Sequence, residues 1–236
     1  MLIEVFLPVY NEEAQLESSV ETLLAFMKKH IREEFAITIV DNGSKDSTPE
    51  LAEALSKKHR EVRALLLKQK GRGYALKTAW LRSKADILAY MDIDLSTRLK
   101  HFPSLINAIK QGYDISTGSR YAKGAKTTRS FRRWFISRSF LLMLKILFFT
   151  SLTDMQCGFK AISRKAAQEL LPRTKNKEWF FDTELLLLAI MQGYKIKEIP
   201  VEWVEDTDSR VVIPHIIRDC FVGSIKIRFS RQKKGN

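Results

Sequence analysis

Two aspartates one residue apart, Asp92-Ile93-Asp94, close an apolar strand-type run at 87–91. Alternate side chains of an extended chain face the same way, so both carboxylates are offered together at the strand's end. Paired hard oxygens without His or Cys suit Mg²⁺ or Mn²⁺ bridging a diphosphate. Asp-x-Asp is common by chance at solvated strand ends, and its place after a buried strand is what gives it weight. A further carboxylate, Asp41, follows the run 36–40 and leads into Asn42-Gly43-Ser44. It can accept from a base N–H or a ribose hydroxyl, and Asn-Gly makes a tight turn in either case.

Gly71-Arg72-Gly73-Tyr74-Ala75 opens a helix, a place where glycines and free amides hold phosphate or sugar. It lacks the third glycine of a dinucleotide fingerprint and the Gly-Lys-Ser/Thr of a P-loop, which disfavours both readings. Arg120, Arg129, Arg132, Arg133 and Arg138 crowd the segment after the fifth strand. Arginine is suited to bidentate phosphate contact. The interleaved Phe131, Trp134, Phe135 and Phe140 favour an amphipathic interfacial helix over a solvated basic face.

The elements that must position these residues alternate strand and helix. Strands are predicted at 3–9, 36–40, 62–67, 87–91 and 114–117, and helices at 12–29, after a Ser47 or Thr48 cap, at 73–83 and at 101–111. Strands separated by helices predict parallel pairing through right-handed crossovers. Ligands then bind outside the carboxyl ends of the strands, at residues 8–12, 41–44, 68–73, 92–97 and 118–121. The second half is predicted as a long helix over 131–152, a loop at 154–159, a short strand at 160–163, a helix capped by Ser163, an apolar helix over 181–192 ended by Gly193, a strand at 196–204, and an apolar, basic tail. No Gly/Pro/Ser linker divides the halves, so the fold class is α/β with one continuous sheet.

The balance of 40 Lys+Arg against 27 Asp+Glu, a net charge of +13, points to an anionic partner. Basic residues gather at 120–138 and 226–234 and acidic ones at 4–61 and 178–208, which favours one phosphate-facing or membrane-facing surface. Two cysteines, Cys157 and Cys220, make neither a metal motif nor a disulfide framework, and four scattered histidines leave no zinc site legible. The N-terminal residues lack a signal-peptide pattern. The apolar runs 140–144 and 146–149, split by Lys145, are short of the roughly 20 residues a spanning helix needs. A peripheral or soluble protein is expected. Charge alone also suits a nucleic-acid module, but no recognition motif for one is present.

Leu7-Pro8-Val9-Tyr10-Asn11-Glu12-Glu13, Val40-Asp41-Asn42-Gly43-Ser44 with Asp46, Asp92-Ile93-Asp94-Leu95-Ser96-Thr97, Gly118-Ser119-Arg120-Tyr121 and Asp154-Met155-Gln156-Cys157-Gly158-Phe159-Lys160 occur in that order. Together they resemble the family 2 glycosyltransferases of the GT-A fold, in the branch of polyprenyl- and dolichyl-phosphate mannose or glucose synthases, over about residues 2–210. The resemblance implies a GT-A, Rossmann-like, mostly parallel sheet in a domain 1–210, followed by a basic amphipathic tail, 211–236, at a membrane surface. It implies that Pro8, Tyr10, Glu12, Val40 and Asp41 frame the nucleotide of the donor. Asp92 and Asp94 would position Mg²⁺ or Mn²⁺ on its diphosphate, with Ile93 and Ser96 beside them. Arg120 and Arg132 or Arg133 would bind phosphates, Asp154 and Gln156 would line the sugar or acceptor site, and Asp182 and Glu184 would lie near the acceptor. Ser209-Arg210-Val211 resembles a late basic loop that closes over the site.

The partners so implied are a nucleotide-diphosphate sugar (GDP-mannose or UDP-glucose), polyprenyl or dolichyl phosphate, an anionic membrane surface on the cytoplasmic side, and a separate membrane-anchor or flippase protein. Nucleic acid is not among them. Ser96 stands where mannose synthases often carry Gln, and Asn42 where many relatives carry a second Asp, so sugar and base stay open. A glycan or other non-lipid acceptor is the alternative. Carboxy-terminal membrane helices, common in such relatives, are not expected here.

Overall fold

Short β-branched runs flanked by turn residues make a seven-stranded sheet. The computed structural model describes residues 1–128, 131–204 and 213–229, with backbone only for 131–133, 136 and 213–217. The strands are β1 (Leu2–Val9), β2 (Glu34–Asn42), β3 (Val62–Leu67), β4 (Ile87–Met91), β5 (Ile115–Ser119), β6 (Lys126–Thr128), β7 (Phe159–Ser163), β8 (Ile196–Pro200) and β9 (Glu202–Val204). The helices are α1 (Leu16–His30), α2 (Thr48–Lys58), α3 (Arg72–Arg82), α4 (Phe102–Lys110), α5 (Phe131–Phe148), α6 (Arg164–Leu170), α7 (Phe181–Met191) and α8 (Ile213–Phe229).

The main sheet runs β3-β2-β1-β4-β7-β5-β8, and β6 pairs with β9 in a small second sheet. β1 lies between β2 and β4, both parallel to it. The chain therefore changes direction across the sheet between β1 and β4, where an open α/β sheet binds ligands. β7 is antiparallel to both β4 and β5. This one reversed strand makes the sheet mostly, not wholly, parallel, as expected, and it has a use. β4 and β5 still run the same way, and the start of β7 arrives at the edge where β4 and β5 end. The loop 154–158 thus joins the ligand rim.

Each face of the sheet carries its own core. Leu16, Val20, Leu23 and Met27 of α1 pack on one face with Phe102, Leu105 and Ile106 of α4. Trp80, Phe181, Leu185 and Leu188, from α3 and α7, pack on the other, where Leu141, Leu144 and Phe148 of α5 join them. α7 is apolar all round because both its sides are covered. It ends before Gly193, whose φ of 77° suits only a glycine comfortably. α8 is part of this layer: Cys220 and Ile227 are buried in it, and a Cβ at Gly223 would come within 2.4 Å of the Phe180 ring.

Three local expectations change. The segment predicted as one strand over 196–204 breaks at Val201, and its end pairs with β6 instead of β5. Ser47 stands at the N-cap of α2 but its hydroxyl caps nothing, whereas Ser163 does cap α6, accepting from the Ala166 N–H. α1 begins at Leu16, not Glu12, because residues 11–13 are held by the neighbouring loop.

Candidate active site

That neighbouring loop is the one after β2. The Asn11 N–H donates to Ser44 Oγ at 2.9 Å, and Lys45 N–H returns a bond to Asn11 Oδ1 at 2.8 Å. Glu12 N–H donates to Thr48 Oγ1 at 2.8 Å, and Ser47 N–H donates to Glu13 Oε2 at 2.9 Å. Asn11 adopts a left-handed φ of 55°, which Asn tolerates better than most residues. The first two sequence motifs are therefore two halves of one hydrogen-bonded wall at the switch point. Asp41 is buried beneath it and accepts from the Gly43 and Ser44 amides at 3.2 and 3.3 Å. Asn42 Oδ1 accepts from Gly71 N–H at 2.7 Å, tying the wall to the start of α3. Pro8 and Val40 are buried strand residues, while Tyr10 is half exposed with Lys70 Nζ 3.8 Å above its ring.

Across the switch point, Asp92 and Asp94 stand half-buried with Ile93 turned into the core. The chain turns at once: Leu95 N–H bonds the Asp92 carbonyl, and Leu95 takes a φ of 49°. A left-handed leucine is strained, and the turn brings Ser96 N–H to Asp94 Oδ1 at 2.9 Å. The loop is then tied down by β9, since Val204 N–H donates to the Ser96 carbonyl and Thr97 bridges Trp203.

Asp92 sits directly over Gly158. A Cβ there would fall 1.9 Å from Asp92 Oδ2, so only glycine leaves room for the carboxylate. On its other side Asp92 Oδ1 receives Arg72 Nη2 at 2.5 Å. Behind Arg72 lies Asp182, buried in the first turn of α7. It accepts from the Tyr90 hydroxyl and lies 3.0 Å from Lys160 Nζ. Burial and the Asp182 charge push the Tyr90 phenol well above its ordinary range.

The Arg120 end forms a second charged centre. Its guanidinium grips Asp154 through Nε–Oδ2 at 2.7 Å and Nη2–Oδ1 at 2.9 Å, with Trp203 over its face at 5.4 Å. Burial opposes the Asp154 charge, but the facing guanidinium prevails and holds the carboxyl below its usual range. Gln156 N–H also bonds Asp154, and the Gln156 amide reaches Cys220 Sγ at 3.3 Å. Glu198 Oε1 supports this loop from below, accepting from Thr153 N–H, Thr153 Oγ1 and Asp154 N–H at 2.8–2.9 Å. A small cleft opens above, lined by Arg120, Tyr121, Phe140, Leu144 and Gln156 among others. Burial pushes the thiols of Cys157 and Cys220 up to about 12, so neither serves as a nucleophile near neutral pH.

The structure thus gathers Pro8, Tyr10, Glu12, Asp41, Asp92, Asp94 and Ser96 around the switch point, and Arg120, Asp154 and Gln156 around the cleft. Glu184 is elsewhere employed: its Oε2 accepts from the Lys175 and Asn176 amides at 2.9 and 2.7 Å, shaping the loop before α7. The side chains of Arg132 and Arg133, and all of Arg129 and Arg210, lie outside the described residues. The sequence motifs assign no role to the Arg72 side chain, Lys160 or Gly158, and Glu198 lies outside them. Arg72 sat in view between two glycines that were weighed for their backbone. Those glycines instead admit residues 176–178 and Phe181, whose atoms a Cβ would meet at 2.5–3.0 Å.

A divalent ion fits this donor set. Among the described residues no group of three or more His, Cys, Asp or Glu forms a cage. One or two carboxylates completed by water and substrate phosphates is the arrangement Mg²⁺ favours. Asp94 supplies a hard oxygen at the rim, and Asp92 supplies a second that Arg72 already shares.

A mostly parallel sheet with this acidic switch point, flanked by helices on both faces, is the GT-A architecture. A family model for glycosyl transferase family 2 matches residues 4–171, and the chain belongs to that family. It is 34% identical over 223 residues to Glycosyltransferase AglD of Haloferax volcanii, covering 92% of this chain and 35% of that one. It is 33% identical to Dolichyl-phosphate beta-glucosyltransferase ALG5C of Trichomonas vaginalis, covering 89% and 66%, and 30% identical to the Homo sapiens dolichyl-phosphate beta-glucosyltransferase, covering 89% and 69%. The chain therefore spans only part of each of these relatives. In fold it matches glucosyl-3-phosphoglycerate synthase from Mycobacterium tuberculosis, crystallised with Mn²⁺, UDP and glucosyl-3-phosphoglycerate, with a TM-score of 0.70, 18% identity and coverage of 96% and 79%.

Proposed function

We propose that the chain transfers a hexose from a nucleotide-diphosphate sugar to a polyprenyl or dolichyl phosphate, inverting the anomeric centre, at the cytoplasmic face of a membrane. The observation that carries this reading is the half-buried pair Asp92 and Asp94 at the switch point of a family 2 fold, beside which Arg120 meets an apolar wall from α5. An acceptor with an anionic head and a hydrocarbon tail matches that arginine and that wall. Asp41 and the wall of residues 11–13 and 44–48 would seat the base and ribose, and Asp92 and Asp94 would face the diphosphate. A divalent ion held by Asp94, with Asp92, would offset the charge gathering on that diphosphate as it leaves.

A phosphate monoester has its second pKa at about 6, so near neutral pH it is already a nucleophile. Among the described residues no basic His or Cys lines the site, and such an acceptor needs none. Its oxygen forms the new bond to the anomeric carbon while the bond to the donor diphosphate breaks, and the electron pair leaves with the nucleoside diphosphate. What the protein supplies is orientation and fixed charge. Attack from the face opposite the leaving group inverts the centre. The names of the relatives favour glucose, hence UDP-glucose ahead of GDP-mannose.

α5 and α8 support a place at the membrane surface. Leu141, Leu144 and Phe148 turn inward, but Leu142, Ile146, Phe149, Phe221 and Phe229 are exposed. Among the described residues no helix is long and apolar enough to cross a membrane. The test is incubation with each donor, polyprenyl phosphate and Mg²⁺ or Mn²⁺, followed by mass spectrometry and NMR of the lipid. A hexosyl-phosphoryl lipid of inverted configuration is expected. Retained configuration, or transfer only to non-lipid acceptors, would overturn the reading.

A further inference from the structure

We infer that Asp182 serves the donor side of the site: from within the core it holds Arg72, and through Arg72 the Asp92 carboxylate, in place for the nucleotide diphosphate. The inference rests on the proposed nucleotide-sugar donor and departs from the acceptor role that sequence resemblance implied for Asp182. Its geometry is one-sided. Oδ1 receives the Tyr90 hydroxyl and lies 3.0 Å from Lys160 Nζ, and Oδ2 lies 4.0 Å from Arg72 Nε. All these partners sit below the Asp92 rim, on β4, β7 and the first turn of α3, not at the Arg120 cleft.

Charge argues the same way. Asp92 and Asp182 face Arg72 and Lys160, so the four groups balance only as a set. Lys160 is wholly buried. Arg72 is nearly so, capped by the Trp179 ring at 4.8 Å. Arg72 Nε is buried with no hydrogen-bond partner, so the guanidinium is fixed by Asp92 at one end and by the charge of Asp182 at the other. Without Asp182, two buried cations would face one carboxylate. Lys160 would then repel Arg72 instead of being screened from it, and Asp92 would follow its partner.

The test uses the full chain, with UDP and Mg²⁺ titrated by calorimetry and KM measured for donor and for polyprenyl phosphate. Asp182→Asn and Arg72→Gln should each weaken UDP binding about 10–100-fold, the range typical of a residue that orients a ligating group. The lipid-phosphate KM should move less than about twofold, since the cleft is untouched. Asp182→Glu, which keeps the charge, should retain more affinity than Asn. If Asp182→Asn does not fold, Arg72→Gln and the charge-balanced pair Asp182→Asn with Lys160→Met carry the test. Unchanged UDP affinity in the folded variants, or a defect confined to the lipid KM, would overturn the inference. Wild-type protein that binds neither UDP nor GDP would overturn the donor reading itself.

Discussion

Arg120 and Asp154 form a closed bidentate pair at 2.7 and 2.9 Å, with side chains 10% and 2% exposed. The arginine beside the cleft is therefore already neutralised and rigidly aimed. A phosphate bound in the cleft, as proposed, would share this guanidinium with Asp154 and would need other cations for its remaining charge.

Breaking such a buried pair is expensive. Asp154→Asn leaves a buried guanidinium without its counter-charge and should lower stability by about 3–5 kcal/mol, read from urea unfolding. The same variant frees Arg120 to move and should raise the acceptor KM. An unchanged unfolding midpoint would mean that the pair is not closed in solution.

Gly158 makes the sharpest steric prediction. With 1.9 Å between its virtual Cβ and Asp92 Oδ2, Gly158→Ala must push the carboxylate aside. Overpacking of this kind costs about 1–3 kcal/mol, and nucleotide binding should fall about tenfold or more if Asp92 holds the metal as proposed. Calorimetry with UDP and Mg²⁺ reads the second effect, and full affinity in a folded Gly158→Ala protein would contradict it.

Much of this was legible beforehand, for reasons that differ residue by residue. Asp92 and Asp94 were visible because strand alternation and the carboxyl-end rule are local and general. Asp41, Arg120 and Asp154 were visible through ordered motifs. The reversal of β7 was not, because five residues between a loop and a cap carry no signal of direction. Nor was the burial of Asp182: within Phe181-Asp182-Thr183-Glu184 one acid enters the core while the other braces a loop, and only the packing of α7 on β4 decides which. The burial of Lys160 has no signal in its motif either, since a lysine with no exposure is rare unless paired. The clasp between residues 11–13 and 44–48 joins two motifs that sequence reasoning treated as separate.

His101 should give the fold a pH dependence. Its Nε2 accepts from Glu202 N–H at 3.0 Å, which only the neutral ring can do. Burial first, then Lys100, push its pKa below the ordinary 6.5, against the pull of the Glu202 carboxylate. The unfolded chain therefore takes up the proton at higher pH than the folded one. Stability from this bond is complete above 6.5 and is lost as pH falls through the lower, folded value. Urea midpoints should decline from neutral pH to about pH 5, and His101→Gln should flatten that slope. Equal slopes in the two proteins would remove His101 from the account.

The exposed apolar residues of α5 and α8 should bring the protein to anionic vesicles. Sedimentation with liposomes containing phosphatidylserine should show binding that weakens with salt, because basic residues contribute about 1 kcal/mol each near such a surface. Ile146→Glu with Phe149→Glu should reduce it further without unfolding the protein, since both side chains are exposed. No binding of wild-type protein at low salt would contradict this.

Asp94 and the cleft beside α5 are proposed to act together in placing a hexose on a lipid phosphate. The most direct measurement is transfer of labelled sugar from UDP-glucose to dolichyl phosphate with Mg²⁺, comparing wild type, wild type with EDTA, and Asp94→Ala. The account predicts organic-extractable label with wild type alone, and a fall of at least about a hundredfold with EDTA or in Asp94→Ala, as loss of several kcal/mol of leaving-group stabilisation requires. Undiminished transfer by Asp94→Ala or in EDTA would contradict it.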